Sequence, residues 1–178
     1  HYVSNRLVGN GSGLITNQAG GMGEGWSDFS TLLMQVRAND TLVAGNADWS
    51  GAYPVGTYVS NDFYFGIRRA PYSTDFAKNP LTFKHIQNGE ALPTTAPLAF
   101  GQDGASNAEV HNTGEIWCNI LWEAYAGFLK DGRYTFEQAR TKMQDYIISG
   151  LKMTPNRPTL IQARNAILAS ADATDDQD

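Results

Sequence analysis

Apolar residues recur at Trp26, Phe29, Leu33 and Val36, the period of a helix with one buried face. They follow the run Gly20-Gly21-Met22-Gly23-Glu24-Gly25, so the pattern predicts a helix that carries Glu24 and ends near Arg37, where a cation suits the helix dipole. Before it, His1 to Gly9 reads as the last two turns of a helix stopped by Gly9, and Asn10 to Gly21 as a glycine-rich loop. Tyr53, Val55, Thr57, Tyr58 and Val59 favour extended chain, with Ser60-Asn61-Asp62 as a turn before Phe63-Tyr64-Phe65; a small β-hairpin is expected there. The stretch from 84 to 105 contains Pro93 and Pro97 and is too broken for a long element, which leaves His85 as a surface or loop histidine. Ser106-Asn107-Ala108-Glu109 has the form of a capping box, predicting a helix from about Asn107 through Leu129. Thr135-Phe136-Glu137-Gln138 is a second box, opening a helix with Met143, Ile147 and Leu151 on one face. Leu160, Ala163, Ile167 and Leu168 mark a last helical face, and Asp172, Asp175, Asp176 and Asp178 a solvated tail. With no repeat and no internal boundary, residues 1–178 read as a single, mainly α lobe with a small hairpin.

Composition narrows the class of protein. Hydrophobic residues make up 42% and charged ones 17% of 178 residues, the balance of a folded chain with a real core. The net charge of −5 argues against nucleic acid and anionic membrane as partners. No apolar run approaches the roughly 18 residues of a membrane span. Cys118 is the single cysteine and falls in an apolar helical run, as inert core would. The chain starts on His rather than Met and shows no signal peptide, as expected of a processed product or an excised piece.

Four places carry candidate chemistry. Glu24 and Asp28 stand one helical turn apart, and two like charges so placed need a positive partner. No Lys or Arg lies within one turn on that face, so a bound cation or a histidine held by one competes with an ordinary salt bridge. Arg68 and Arg69 sit in an otherwise uncharged stretch, where a guanidinium suits a carbonyl or carboxylate; a structural ion pair is the plain alternative. Tyr72 follows them, either an oxyanion donor or a buried structural tyrosine. His111 shares a line with Glu115, Asn119 and Glu123 at four-residue steps, so a carboxylate one turn on could hold the ring in one tautomer; a satisfied buried histidine is the alternative.

The pattern His1-x-x-Ser4-Asn5-Arg6-Leu7, a glycine-rich loop, then Gly20-Gly21-Met22-Gly23-Glu24-Gly25-Trp26-Ser27-Asp28-Phe29 resembles the fungalysin family of secreted zinc endopeptidases. Three further segments share the likeness: Gly66 to Asp75 with Asn79-Pro80-Leu81-Thr82-Phe83, Val110-His111-x-x-Gly114-Glu115, and the run from Pro158 to Leu168. The resemblance implies the helical C-terminal lobe of a thermolysin-like zinc peptidase, with the cleft against an upstream lobe. It implies a Zn2+ ion held by His1 and Glu24, with Asp28 behind them and His111 on the oxyanion. Arg68, Arg69 and Tyr72 then belong to the substrate side and Glu115 stands behind His111. His1 matches the second histidine of His-Glu-x-x-His, so the first ligand histidine and the general-base glutamate would precede it. This chain alone is therefore expected to bind zinc weakly and to be inactive, its partners being peptide or protein substrates and the upstream lobe. A non-catalytic helical binding module that keeps the same framework is the alternative, decided by the two residues found at the His-Glu positions.

Overall fold

The computed structural model describes residues 1–174, so Asp175, Asp176 and Asp178 of the expected tail lie outside the described residues. Six α-helices run in the order α1 (Tyr2–Leu7), α2 (Asn17–Gln35), α3 (Thr57–Ser60), α4 (Val110–Lys130), α5 (Phe136–Met153) and α6 (Leu160–Thr174). The mainly helical expectation holds, and α1 breaks where Gly9 turns left-handed at φ 64°. No helix among the described residues is long and apolar enough to cross a membrane.

The last part of the expected loop, residues 17–21, is helical: α2 begins at Asn17, with the Thr16 side chain accepting from the Ala19 amide, while residues 10–16 stay outside any α-helix. Each interior glycine costs a helix about 1 kcal/mol relative to alanine. What offsets that cost is a close crossing with α4, since α2 and α4 pack on each other more extensively than any other pair of elements. A Cβ at Gly21 would stand 2.7 Å from Thr113 side-chain carbons, and one at Gly25 would stand 2.5 Å from the Gly114 carbonyl oxygen. From the other side, a Cβ at Gly114 would come within 2.7 Å of the Glu24 Cβ. The apolar faces read from the sequence close around this crossing: Trp26 meets Trp117 edge to face at 5.6 Å, and Phe29 meets Tyr125 at 6.2 Å. Helices α5 and α6 complete the core through Met143, Ile147, Leu151, Leu160 and Ala163, while Leu168 faces solvent and Ala166 and Ala171 take its place.

The long connection from α2 to α4 holds no strand. Tyr53 forms an isolated antiparallel bridge with Tyr72, and Val55 a parallel one with Gly66, in place of a hairpin within Tyr53–Phe65. Left-handed Gly56 and Asn61 bracket α3 and turn the chain away from extended geometry. The connection is instead pinned by side-chain amides. Asn119 Oδ1 accepts from the Ser73 amide at 3.1 Å and from Asn79 Nδ2 at 3.2 Å, and Asn107 Nδ2 donates to the carbonyls of Gln87 and Glu90. His85, expected at the surface, is buried, its Nδ1 accepting from the Thr82 amide at 2.8 Å. Because Asn107 is spent on these bonds, the helix starts later than the capping box suggests, at Val110. The second box is present, with Thr135 and Gln138 exchanging bonds at the head of α5, and Cys118 is fully buried.

Replacing Gly25 with alanine is expected to lower stability by about 1–3 kcal/mol, because the methyl meets backbone on α4. Gly127→Ala, in the interior of α4 with nothing near the added methyl, is expected to raise it by roughly 0.5–1 kcal/mol. Denaturant unfolding of both variants checks the contrast.

Candidate active site

Two histidines and an arginine approach one carboxylate beside the α2–α4 crossing. Glu24 projects from the middle of α2, in the turn where Gly25 backs onto Gly114. His1 Nε2, at the head of α1, lies 3.3 Å from Glu24 Oε1. His111 Nε2, in the first turn of α4, lies 3.6 Å from Glu24 Oε2, and Arg68 Nη2 stands 3.6 Å from the same oxygen. Both imidazoles are about half exposed while Glu24 is mostly covered, so the group is open to solvent on the histidine side.

Asp28, one turn beyond Glu24, is buried and has its cation. Arg68 Nε donates to Asp28 Oδ2 at 2.6 Å and Nη2 to Oδ1 at 3.0 Å, a fork that engages both oxygens. The buried Tyr72 hydroxyl donates to the same Oδ2. The positive partner that the Glu24–Asp28 pair requires thus comes from far along the chain, which a search within one helical turn cannot find. Tyr72 points inward, so it supports the site from below rather than facing a substrate.

Arg69 turns the other way and is fully buried. Its amide and its Nε each donate to Glu115 at 2.7 Å, Nη1 donates to Asn107 Oδ1 at 2.8 Å, and Nη2 to the Asn112 carbonyl at 3.1 Å. Burial pushes the Glu115 carboxyl up, and the Arg69 guanidinium and amide pull against it. With each of its three side-chain nitrogens bonded inside the protein, Arg69 is held as a buried ion pair, and Glu115 belongs to it rather than to His111.

The carboxylate that does hold His111 is Glu109. Its Oε1 lies 2.8 Å from His111 Nδ1, while Oε2 accepts from the His111 amide at 2.8 Å and the Asn112 amide at 3.2 Å. One side chain therefore caps α4 and orients the ring so that Nε2 faces Glu24. Burial pushes the Glu109 carboxyl up, but the bonds to the His111 ring and to the two amides outweigh it and hold the carboxyl below its usual range. The sequence signal was a carboxylate two residues before the histidine, hidden by its fit to a capping box.

Two donors bonded to one tetrahedral zinc stand roughly 3.3–3.4 Å apart, given metal–ligand lengths of about 2.0–2.1 Å. His1 Nε2 and Glu24 Oε1 have that spacing, so this pair fits two corners of a zinc site. A catalytic zinc takes three protein ligands. Among the described residues no group of three histidine, cysteine, aspartate or glutamate side chains is placed to hold a metal.

Comparison with known proteins bears on this geometry. The family model of the fungalysin metallopeptidases (M36) matches residues 1–178. The chain belongs to the fungalysin family. It is 32% identical to the "Extracellular metalloproteinase mep" of Aspergillus terreus over 184 residues, covering 94% of this chain and 25% of that protein. It is 33% identical to the "Extracellular metalloproteinase MEP" of Pyricularia oryzae over 183 residues, again 94% of this chain and 25% of the relative. The "Extracellular metalloproteinase 1" of Arthroderma gypseum gives 32% over 182 residues with the same coverage. The chain thus spans about a quarter of the length of these curated fungalysin relatives.

Removing Arg69 alone strands a buried carboxylate, and such a loss typically costs 3–5 kcal/mol. Arg69→Met is expected to destabilise by about that much, while adding Glu115→Leu to it recovers a substantial part. Urea melts of the wild type, both single variants and the double variant measure the coupling.

Proposed function

We propose that this chain is the C-terminal lobe of the catalytic domain of a secreted zinc endopeptidase, acting on peptide or protein substrates together with the lobe that precedes it. The observation that carries the reading is the convergence of His1, His111 and Arg68 on Glu24. Family membership, the extracellular names of the relatives and their fourfold greater length support it. The remaining zinc ligand and the general base are then supplied from outside these residues, and the isolated chain is inactive.

A zinc ion held by His1 and Glu24 would supply a water activated near neutral pH and a positive charge beside the scissile carbonyl. The protein groups do the rest. Arg68, its guanidinium fixed in plane by Asp28, offers its remaining donor direction toward a backbone carbonyl of the substrate. His111 offers Nε2 to the carbonyl oxygen as it turns negative during water addition, a donor of the kind worth most where charge develops. With Nδ1 held against the Glu109 carboxylate, the ring keeps Nε2 turned toward Glu24.

The alternative is a helical module that binds partners without catalysis. The test is expression of the chain joined to the segment preceding His1 in its own gene, with metal analysis and peptide hydrolysis. One equivalent of zinc and chelator-sensitive cleavage are expected, with zinc reduced by Glu24→Gln and His111→Phe lowering kcat about 10²–10³-fold at full zinc content. Cleavage that survives complete zinc removal, or a preceding segment without His-Glu at the required positions, would sink the peptidase reading.

A further inference from the structure

Arg68 Nη2 has two suitors. It lies 3.0 Å from Asp28 Oδ1 and 3.6 Å from Glu24 Oε2, so a modest swing of the guanidinium would hand it to Glu24. A guanidinium drawn closer onto Glu24 Oε2 would weaken that carboxylate as a metal donor and set a second positive charge beside the metal. Which carboxylate owns Arg68 is therefore a functional variable, and the structure contains one group in a position to decide it.

We propose that Tyr72 is a positioning residue that keeps Arg68 on Asp28 and so leaves Glu24 free for zinc, an inference that rests on the zinc peptidase reading above. The hydroxyl donates to Asp28 Oδ2, the oxygen that also takes Arg68 Nε at 2.6 Å. A carboxylate held at that oxygen by a second, rigid donor cannot rotate about its χ2 axis, and its other oxygen stays aimed at Arg68 Nη2. The tyrosine is itself immobile. It is fully buried, and its backbone is clamped to Tyr53 by a pair of bonds, Tyr53 amide to Tyr72 carbonyl at 2.9 Å and the reverse at 3.1 Å. Burial, reinforced by the neighbouring Cys118 and Asp28, pushes the phenol well above its usual range, in keeping with its role as the donor to Asp28. The chain of control runs Tyr72 to Asp28 to Arg68 to Glu24, from core to site, with one hydrogen bond or ion pair at each link.

Partners that orient a metal site from outside typically cost 10–100-fold in metal affinity or activity when removed. In the protein extended upstream of His1, Tyr72→Phe keeps the ring and loses only the hydroxyl. It is expected to weaken zinc binding roughly tenfold, read by competition with a chromogenic chelator. At saturating zinc it is expected to raise KM severalfold more than it lowers kcat, because Arg68 is mispositioned for substrate backbone while the zinc chemistry is intact. The decisive comparison is the same substitution made in an Asp28→Asn background. If Tyr72 works through Asp28, the tenfold effect shrinks to within twofold there. A Tyr72→Phe protein that melts earlier yet binds zinc and turns over peptide like the wild type would show a merely structural tyrosine and overturn the proposal. Equal effects of Tyr72→Phe with and without Asp28→Asn would overturn it too. A wild-type protein that binds no zinc would instead overturn the peptidase reading on which it rests.

Discussion

The close approach of α2 to α4 is the constraint on which the site depends. Glu24 and His111 sit on different helices, and the two reach each other because Gly21, Gly25 and Gly114 remove the side chains that would hold the axes apart. The glycines weaken α2 as an isolated helix, so its stability must come from the aromatic face it buries, with Trp26 against Trp117 and Phe29 against Tyr125. Backbone proximity and aromatic packing are thus two halves of one arrangement. The small residues set the separation, and the large ones on the adjoining face hold it.

A second layer of order comes from the connection between α2 and α4. It has little regular structure, and buried polar groups hold it in place. Asn107, Asn119, Arg69 and Glu115 replace the ladder of a sheet with side-chain bonds to backbone. Buried polar groups must find partners, and here the partners are the carbonyls and amides that an irregular chain leaves unsatisfied. This is how a segment without strands delivers Arg68 and Tyr72 to fixed positions under the site.

The sequence made the helices legible because their apolar period is strong: the faces at Trp26, Phe29, Leu33 and Val36 and at Met143, Ile147 and Leu151 are buried as read. It also brought His1, Glu24, Asp28, Arg68 and His111 into view through motif likeness, and the structure brings the two histidines and the arginine within ion-pair distance of the two carboxylates. What it hid were long-range partners. Nothing local joins Arg68 to Asp28 or Arg69 to Glu115, and the four-residue line from His111 to Glu115 suggested a pairing that tertiary contacts gave to Glu109 instead. Glycines were misleading for a related reason. A run of them reads as a loop until a second helix is known to lie against it.

Arg68 and Arg69 are chemically identical neighbours with opposite assignments, one clasping α2 through Asp28 and the other clasping α4 through Glu115. The dipeptide therefore works like a two-sided rivet through the seam between the helices. Its vulnerability is to a frameshift of one position within the connection, more than to many single replacements around it. Gaining a residue just ahead of Ile67 would carry Arg68 into the Glu115 slot and put Ile67 opposite Asp28, whereas losing one would carry Arg69 to Asp28 and put Ala70 opposite Glu115. Either way one helix keeps a clasp and the other is left with a buried, unpaired carboxylate, so evolutionary drift in the length of this stretch should be confined to places well away from it.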